Sequence, residues 1–115
     1  MAASETPSVD DQPLGPPVNT EEMTVRAAQA SALLKALSHE GRLMILCHLS
    51  TGEKSVTELE RLLGQRQAAV SQQLARLRAD GLVQARREGK AIFYSLGDPR
   101  AGQVVGLLYE MFCRC

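Results

Sequence analysis

The sequence predicts a small, mostly α-helical domain that carries one β-hairpin, and three observations lead to that class. Apolar residues recur at three- and four-residue spacing through five separate stretches, as helices with one buried face require. Between Leu82 and Leu96 the pattern changes to two strand-like runs around a glycine turn. Glycine or proline marks the boundaries, at Gly52, Gly64, Gly81, Gly89 and Pro99. With 115 residues, 44% of them apolar, there is room for one domain with a modest core. Aromatic bulk is limited to Phe93, Tyr94, Tyr109 and Phe112, so leucine, valine, alanine and methionine must fill that core. A helical core of this size is often completed by a second copy.

Taken in order, residues 1–20 hold four of the five prolines and almost no periodic apolar residues, which predicts a disordered tail ahead of a domain spanning 21–115. Thr20 is the expected cap of a helix over 21–38, with Glu21 and Glu22 in its positive first turn. Val25, Ala28, Leu33, Leu34 and Leu37 form its stripe. A second helix, 40–49, places Leu43, Met44, Leu46 and Cys47 on its apolar side and breaks at Thr51-Gly52-Glu53. Ser55 is an N-cap for a third, which carries Leu59, Leu62 and Leu63 inward and stops at Gly64. The fourth, 67–79, buries Val70, Leu74 and Leu77 at i, i+4, i+7 and turns Gln67, Ser71, Gln72, Arg76 and Arg78 outward. Gly81 ends it. Strands over 82–86 and 91–96 then flank Arg87-Glu88-Gly89-Lys90, Gly89 supplying the positive φ of a tight turn. Asp98-Pro99 opens the last helix, whose ridge is Val104, Leu107, Leu108 and Met111.

Two short helices followed by a basic hairpin form the layout of a winged helix-turn-helix, and that layout predicts duplex DNA as partner. Side chains with paired donors and acceptors read bases in the major groove, and Gln67, Ser71, Gln72 and Gln73 sit on the fourth helix. Arg86, Arg87 and Lys90 on the hairpin, with Arg76, supply cations for phosphates or the minor groove. The zero net charge hides an asymmetry: residues 1–40 carry net −4 and residues 41–115 net +4. The plain alternative is a solvated polar helix face beside a structural hairpin. No run approaches the ~20 apolar residues of a membrane span and no secretory signal pattern opens the chain, so a cytoplasmic protein without a membrane partner is expected. Three cysteines, an odd number, are then expected as reduced thiols. No Ser/His/acid set, paired carboxylates or phosphate-cradling glycine loop points to an enzyme; Glu53, Glu58 and Glu60 read as solvated helix charges.

The segment Leu37-Ser38-His39-Glu40-Gly41-Arg42-Leu43-Met44-Ile45-Leu46 resembles a signature of ArsR-type repressors. Val70-Ser71-Gln72-Gln73-Leu74-Ala75-Arg76-Leu77-Arg78-Ala79-Asp80-Gly81-Leu82-Val83 resembles their recognition helix and exit, and Arg86 to Lys90 with Tyr94-Ser95-Leu96 their wing. The resemblance spans about residues 22–115. It implies a homodimer through the first and last helices, with Leu33, Val104, Leu107, Leu108 and Met111 at the interface, that releases operator DNA when an inducer binds. One departure stands at the start of the recognition helix, where Arg66 and Ala68 occupy positions that are usually serine. Ala68 thereby joins the candidate DNA-contact set.

The family's metal motifs are missing. Its CxC-D-L thiolate motif aligns with Ser55-Val56-Thr57-Glu58-Leu59, and its zinc site on the last helix aligns near Asp98-Pro99-Arg100, neither with its ligands. His39 and His48 are too few and misplaced for a four-ligand zinc site, so no metal or cofactor is expected. Cys47 and Cys113 instead resemble the dithiol of the family's persulfide-responsive members, in which an inserted sulfur chain joins two thiols. The resemblance implies persulfide or polysulfide inducers acting at Cys47 and Cys113. Read singly, Cys47 is core filler, Cys113 interface packing and Tyr109 aromatic packing. His48 is expected to face away from the thiol pair. Cys115 is a bystander, because residues two apart on a helix point roughly 200° apart. Two alternatives stay open: a soft-metal or arsenite sensor using Cys47, Cys113 and Cys115, and a helical interaction module that binds no DNA.

Overall fold

The structure, a computed structural model, describes residues 19–113. Most of the expected tail, residues 1–18, and Cys115 lie outside the described residues. The element order is α1 (Thr20–Leu37), α2 (Glu40–Leu49), β1 (Lys54–Ser55), α3 (Val56–Leu63), α4 (Gln67–Ala79), β2 (Val83–Glu88), β3 (Ala91–Leu96) and α5 (Pro99–Phe112).

The described residues divide into two units, 19–31 and 32–113. In the first, the leading turns of α1 are solvent-exposed. Their cap is Asn19, whose Oδ1 accepts the Glu22 N–H at 2.7 Å. Thr20, the expected cap, lies inside the helix, and its carbonyl accepts the Thr24 hydroxyl. Asparagine one residue earlier satisfies the same orphan donor.

The second unit holds the core. Ile45, Leu46, Leu59, Val70, Leu74 and Leu77 are all 0% exposed, drawn from α2, α3 and α4. The end of α1 adds Ala36 and Leu37, and α5 adds Ala101 and Val105. Burying one leucine side chain contributes roughly 1.5–3 kcal/mol, so these few residues dominate stability. The apolar face of α2 is rotated from expectation. Ile45, Leu46 and Leu49 point inward, whereas Met44 and Cys47 are exposed. Leu62 on α3 is also exposed, leaving Leu59 and half-buried Leu63 to anchor that helix.

Side-chain caps set the helix boundaries. The Ser55 hydroxyl accepts the Glu58 N–H at 3.1 Å and Glu58 Oε1 accepts the Ser55 N–H at 2.9 Å, a reciprocal capping box. Glu58 is therefore no idle surface charge. Gly64, at φ 66°, ends α3 in the left-handed conformation and opens the short turn into α4. Gly81 (φ 76°) closes α4 in a Schellman arrangement, with Leu82 N–H donating to Leu77 O at 2.9 Å. That bond drives Leu82 and Val83 into the core and aims the chain into the wing.

The hairpin turn is tighter than expected. Glu88 pairs with Ala91, so Arg87 and Glu88 belong to β2 and only Gly89-Lys90 connects the strands. The sheet has three strands in the order β1-β3-β2, all antiparallel, because Lys54 and Ser55 pair with Tyr94 and Phe93. Gly97 eases a close approach where β3 leaves the sheet: a Cβ there would lie 3.1 Å from the Val83 carbonyl carbon. Helix-turn-helix α3–α4 followed by wing β2–β3 makes this a winged helix-turn-helix.

Candidate nucleic-acid interface and thiol site

Helix α4 presents one polar face because the other is wholly committed. Val70, Leu74 and Leu77 hold it against the core, and Gln67, Ala68, Ser71, Gln72, Arg76 and Arg78 are exposed. A helix anchored this way offers rigid donors and acceptors to a groove. Arg76 also pairs with Asp80 at 3.1 Å along the helix, a solvated contact of little energetic weight.

Gln73 differs from its neighbours. It is half-buried, its Oε1 lies 3.5 Å from Arg42 Nη1 and its amide nitrogen 3.5 Å from His39 Nε2. Arg42 in turn donates from Nε to Ala36 O at 2.8 Å and from Nη2 to Lys35 O at 3.3 Å. One guanidinium thus ties the last turn of α1 to the recognition helix. His39 caps α2, its Nδ1 accepting from Gly41 N at 3.0 Å and Arg42 N at 3.4 Å. His39 thus has a structural duty, capping α2 beside the Gln73 amide.

On the wing the three expected cations differ as well. Arg86 is held by Glu53 through Nε and Nη2 at 3.0 and 2.8 Å, and by Glu88 through Nη1 at 2.9 Å. Its guanidinium also lies 4.8 Å from the centre of the Phe93 ring. Those hydrogen bonds push the guanidinium above its usual value and hold the Glu53 carboxyl below its own. Glu53 is not a helix charge but the residue just before β1. Two carboxylates on Arg86 leave Arg87 and Lys90 as the exposed wing cations without an ion pair among the described residues.

The thiols of Cys47 and Cys113 line a groove in a different place. Cys47 on α2 and Cys113 at the end of α5 are both free and exposed, and both line one groove of about 850 Å³. Desolvation pushes the Cys47 thiol above its usual value, and the neighbouring Cys113 adds to the rise. His48 lines the same groove, correcting the expectation that it faces away, and Tyr109 lines it as well. Among the described residues no group of three or more His, Cys, Asp or Glu side chains is placed to hold a metal ion.

The expected ridge of α5 is largely outside the core. Leu107 and Met111 are 59% and 62% exposed, while Val104 and Leu108 are half-buried. Ala101 and Val105, which sequence periodicity passed over, take the inward positions. Leu33 is half-buried and packs on the core, so only part of its surface is left for a partner.

Known proteins share this architecture. The family model described as bacterial regulatory protein, arsR family, matches residues 39–85. The Biofilm growth-associated repressor of Xylella fastidiosa strain 9a5c is 48% identical over 98 residues, covering 85% of this chain and 86% of the relative. Transcriptional activator HlyU of Vibrio cholerae is 44% identical over 100 residues, covering 87% and 93%. Among solved structures, the repressor BigR from Xylella fastidiosa superposes with a TM-score of 0.77 over 84% of this chain and 98% of its own, at 48% identity. Reduced HlyU from Vibrio cholerae N16961 superposes at 0.78 over 81% and 98%, at 44% identity.

Proposed function

The chain belongs to the ArsR family of bacterial transcriptional regulators, and from that premise we propose that it is a homodimeric, cytoplasmic repressor induced by persulfides through Cys47 and Cys113. One observation carries the reading: two thiols 66 positions apart in sequence line the same groove. Gln67, Ser71 and Gln72 face base edges, Ala68 suits a thymine methyl, and Arg76, Arg87 and Lys90 neutralise phosphates. Leu107 and Met111, with Leu33, Val104 and Leu108, bury their free surface against the second copy.

The chemistry balances without an outside oxidant. The Cys47 thiolate attacks the terminal sulfur of R–S–SH, the S–S bond breaks, and R–S⁻ leaves to be protonated as RSH. Cys113 acquires a sulfur from a second donor in the same way. The persulfide anion on Cys113 then attacks the Cys47 sulfur of Cys47–S–SH, joining the residues by three sulfurs and expelling HS⁻. The bridge ties α2 to α5, and α2 packs on both helices of the DNA-binding unit. Paired recognition helices must match a groove repeat of about 34–36 Å, so a small change in their relation weakens binding. A coupling of ~1–3 kcal/mol corresponds to a loss of about 5–150-fold in affinity.

The test is an operator-binding titration of the reduced protein, repeated after glutathione persulfide, glutathione disulfide and Zn(II). Release by the persulfide alone, with a Cys47–Cys113 polysulfide bridge in the mass spectrum, supports the reading. Tight stoichiometric zinc binding that releases DNA, or only a plain disulfide or glutathione adduct, overturns it.

A further inference from the structure

The thiol groove is far roomier than a short sulfur chain requires. Its volume of about 850 Å³ lies within the range of organic-ligand pockets, ≈ 300–1,000 Å³. Its shape follows from one stripe on each wall. Gly102, Gly106, Tyr109 and Cys113 recur at helical spacing along α5 and face the α2 stripe of Leu43 and Cys47.

Gly106 keeps the space open. Glycine in a helix interior is disfavoured relative to alanine, and here no close packing requires it: a Cβ at Gly106 would meet nothing within 4 Å. The surrounding walls are apolar, from Leu43, Val105, Leu108, Tyr109 and Phe112. No lysine or arginine is among the described residues that line the groove, so an anionic guest finds no such cation in that set. Such a lining disfavours an anionic guest and suits a neutral, apolar one.

We propose that this groove selects organic persulfides carrying an uncharged apolar group, which lies over Gly106 while its terminal sulfur meets Cys47. The inference rests on the thiol reading above and names the class of sulfur donor. Cys47 attacks the terminal sulfur, RSH leaves with the apolar group, and the protein keeps one sulfur as Cys47–S–SH. Glutathione persulfide, with its two carboxylates, reacts through the same step but without the groove's help.

The experiment measures second-order rates of Cys47 persulfidation by benzyl hydropersulfide, glutathione persulfide and inorganic polysulfide. Each rate is divided by the donor's rate with free cysteine. The benzyl donor is expected to be favoured at least about tenfold over glutathione persulfide, the low end of what one apolar group contributes to discrimination in a hydrophobic pocket. Gly106→Leu fills the groove and is expected to abolish that preference, and Gly106→Ala to reduce it, each with inorganic polysulfide as the internal reference. Equal normalised rates in the unaltered protein overturn the proposal. So does an advantage that survives in both variants, or one that vanishes as rising protein concentration drives dimerisation, which assigns the groove to the second copy. Benzyl selectivity without operator release sinks the regulatory reading alone, so the two failures are distinguishable.

Discussion

Replacing Arg86 tests how the wing meets DNA, because the structure makes this arginine unlike Arg87 and Lys90. Each phosphate contact steepens the dependence of log K on log salt by ≈ 0.9 on duplex DNA. One contact therefore changes the affinity lost between 50 and 200 mM salt by a factor of about 3.5. Arg86 is held by three hydrogen bonds to Glu53 and Glu88, so its charge is already neutralised. Arg86→Ala is expected to leave the salt slope nearly unchanged, whereas Arg87→Ala and Lys90→Ala each lower it by about 0.9. Glu53→Gln combined with Glu88→Gln removes both carboxylates and frees the guanidinium, so the slope of that double variant should rise toward one further contact. Fluorescence anisotropy with an operator duplex across four salt concentrations reads the four variants beside the unaltered protein. A slope in Arg86→Ala that falls as far as in Arg87→Ala would refute the argument, since the ion pairs would then yield to phosphate.

Serine at Cys47 or at Cys113 should leave operator affinity intact and make persulfide release fail; normal induction in both single variants would exclude the dithiol role. The Cys47 alkylation rate should rise with pH to a midpoint above the ordinary thiol value, and Cys113→Ser should lower that midpoint by removing a neighbouring thiolate. Ser55→Ala should cost about 1 kcal/mol in urea denaturation through loss of the α3 cap, and Leu74→Ala about 2–5 kcal/mol through a core cavity. Hydrogen bonds hold Glu58 and Asp98 below their ordinary values of 4.5 and 3.8, so their share of stability is whole above those values. It fades as pH falls through the lowered ones, and urea midpoints between pH 7 and pH 3 should decline in that window.

Local signals located most elements because they act over a few residues. Ser55 and Asp98 capped the helices that follow them, Gly64 and Gly81 ended theirs, and the i, i+4, i+7 spacing of Val70, Leu74 and Leu77 identified the buried face of α4. The α2 face is not legible locally because the unbroken apolar run from Leu43 to Cys47 defines no unique stripe; contacts with α3, α4 and α5 choose it. The α5 ridge was periodic for a different reason. Leu107 and Met111 point away from this subunit's core, while small Ala101 and Val105 allow close approach to it. Strand β1 has no sequence signature because two residues carry no period, and nothing local marks Glu53, just before it, as the partner of Arg86.

The sequence by itself determined the winged helix-turn-helix order and the polar face of α4, since capping, turn conformation and apolar period are properties of neighbouring residues. Tertiary structure decided which charges are free and set two distant thiols along one groove. Glu53 reaches Arg86 across 33 positions, and Cys47 shares a groove with Cys113 across 66. Such pairings depend on how helices and strands stack, and no local pattern encodes the distance between two side chains that only the packed core brings together.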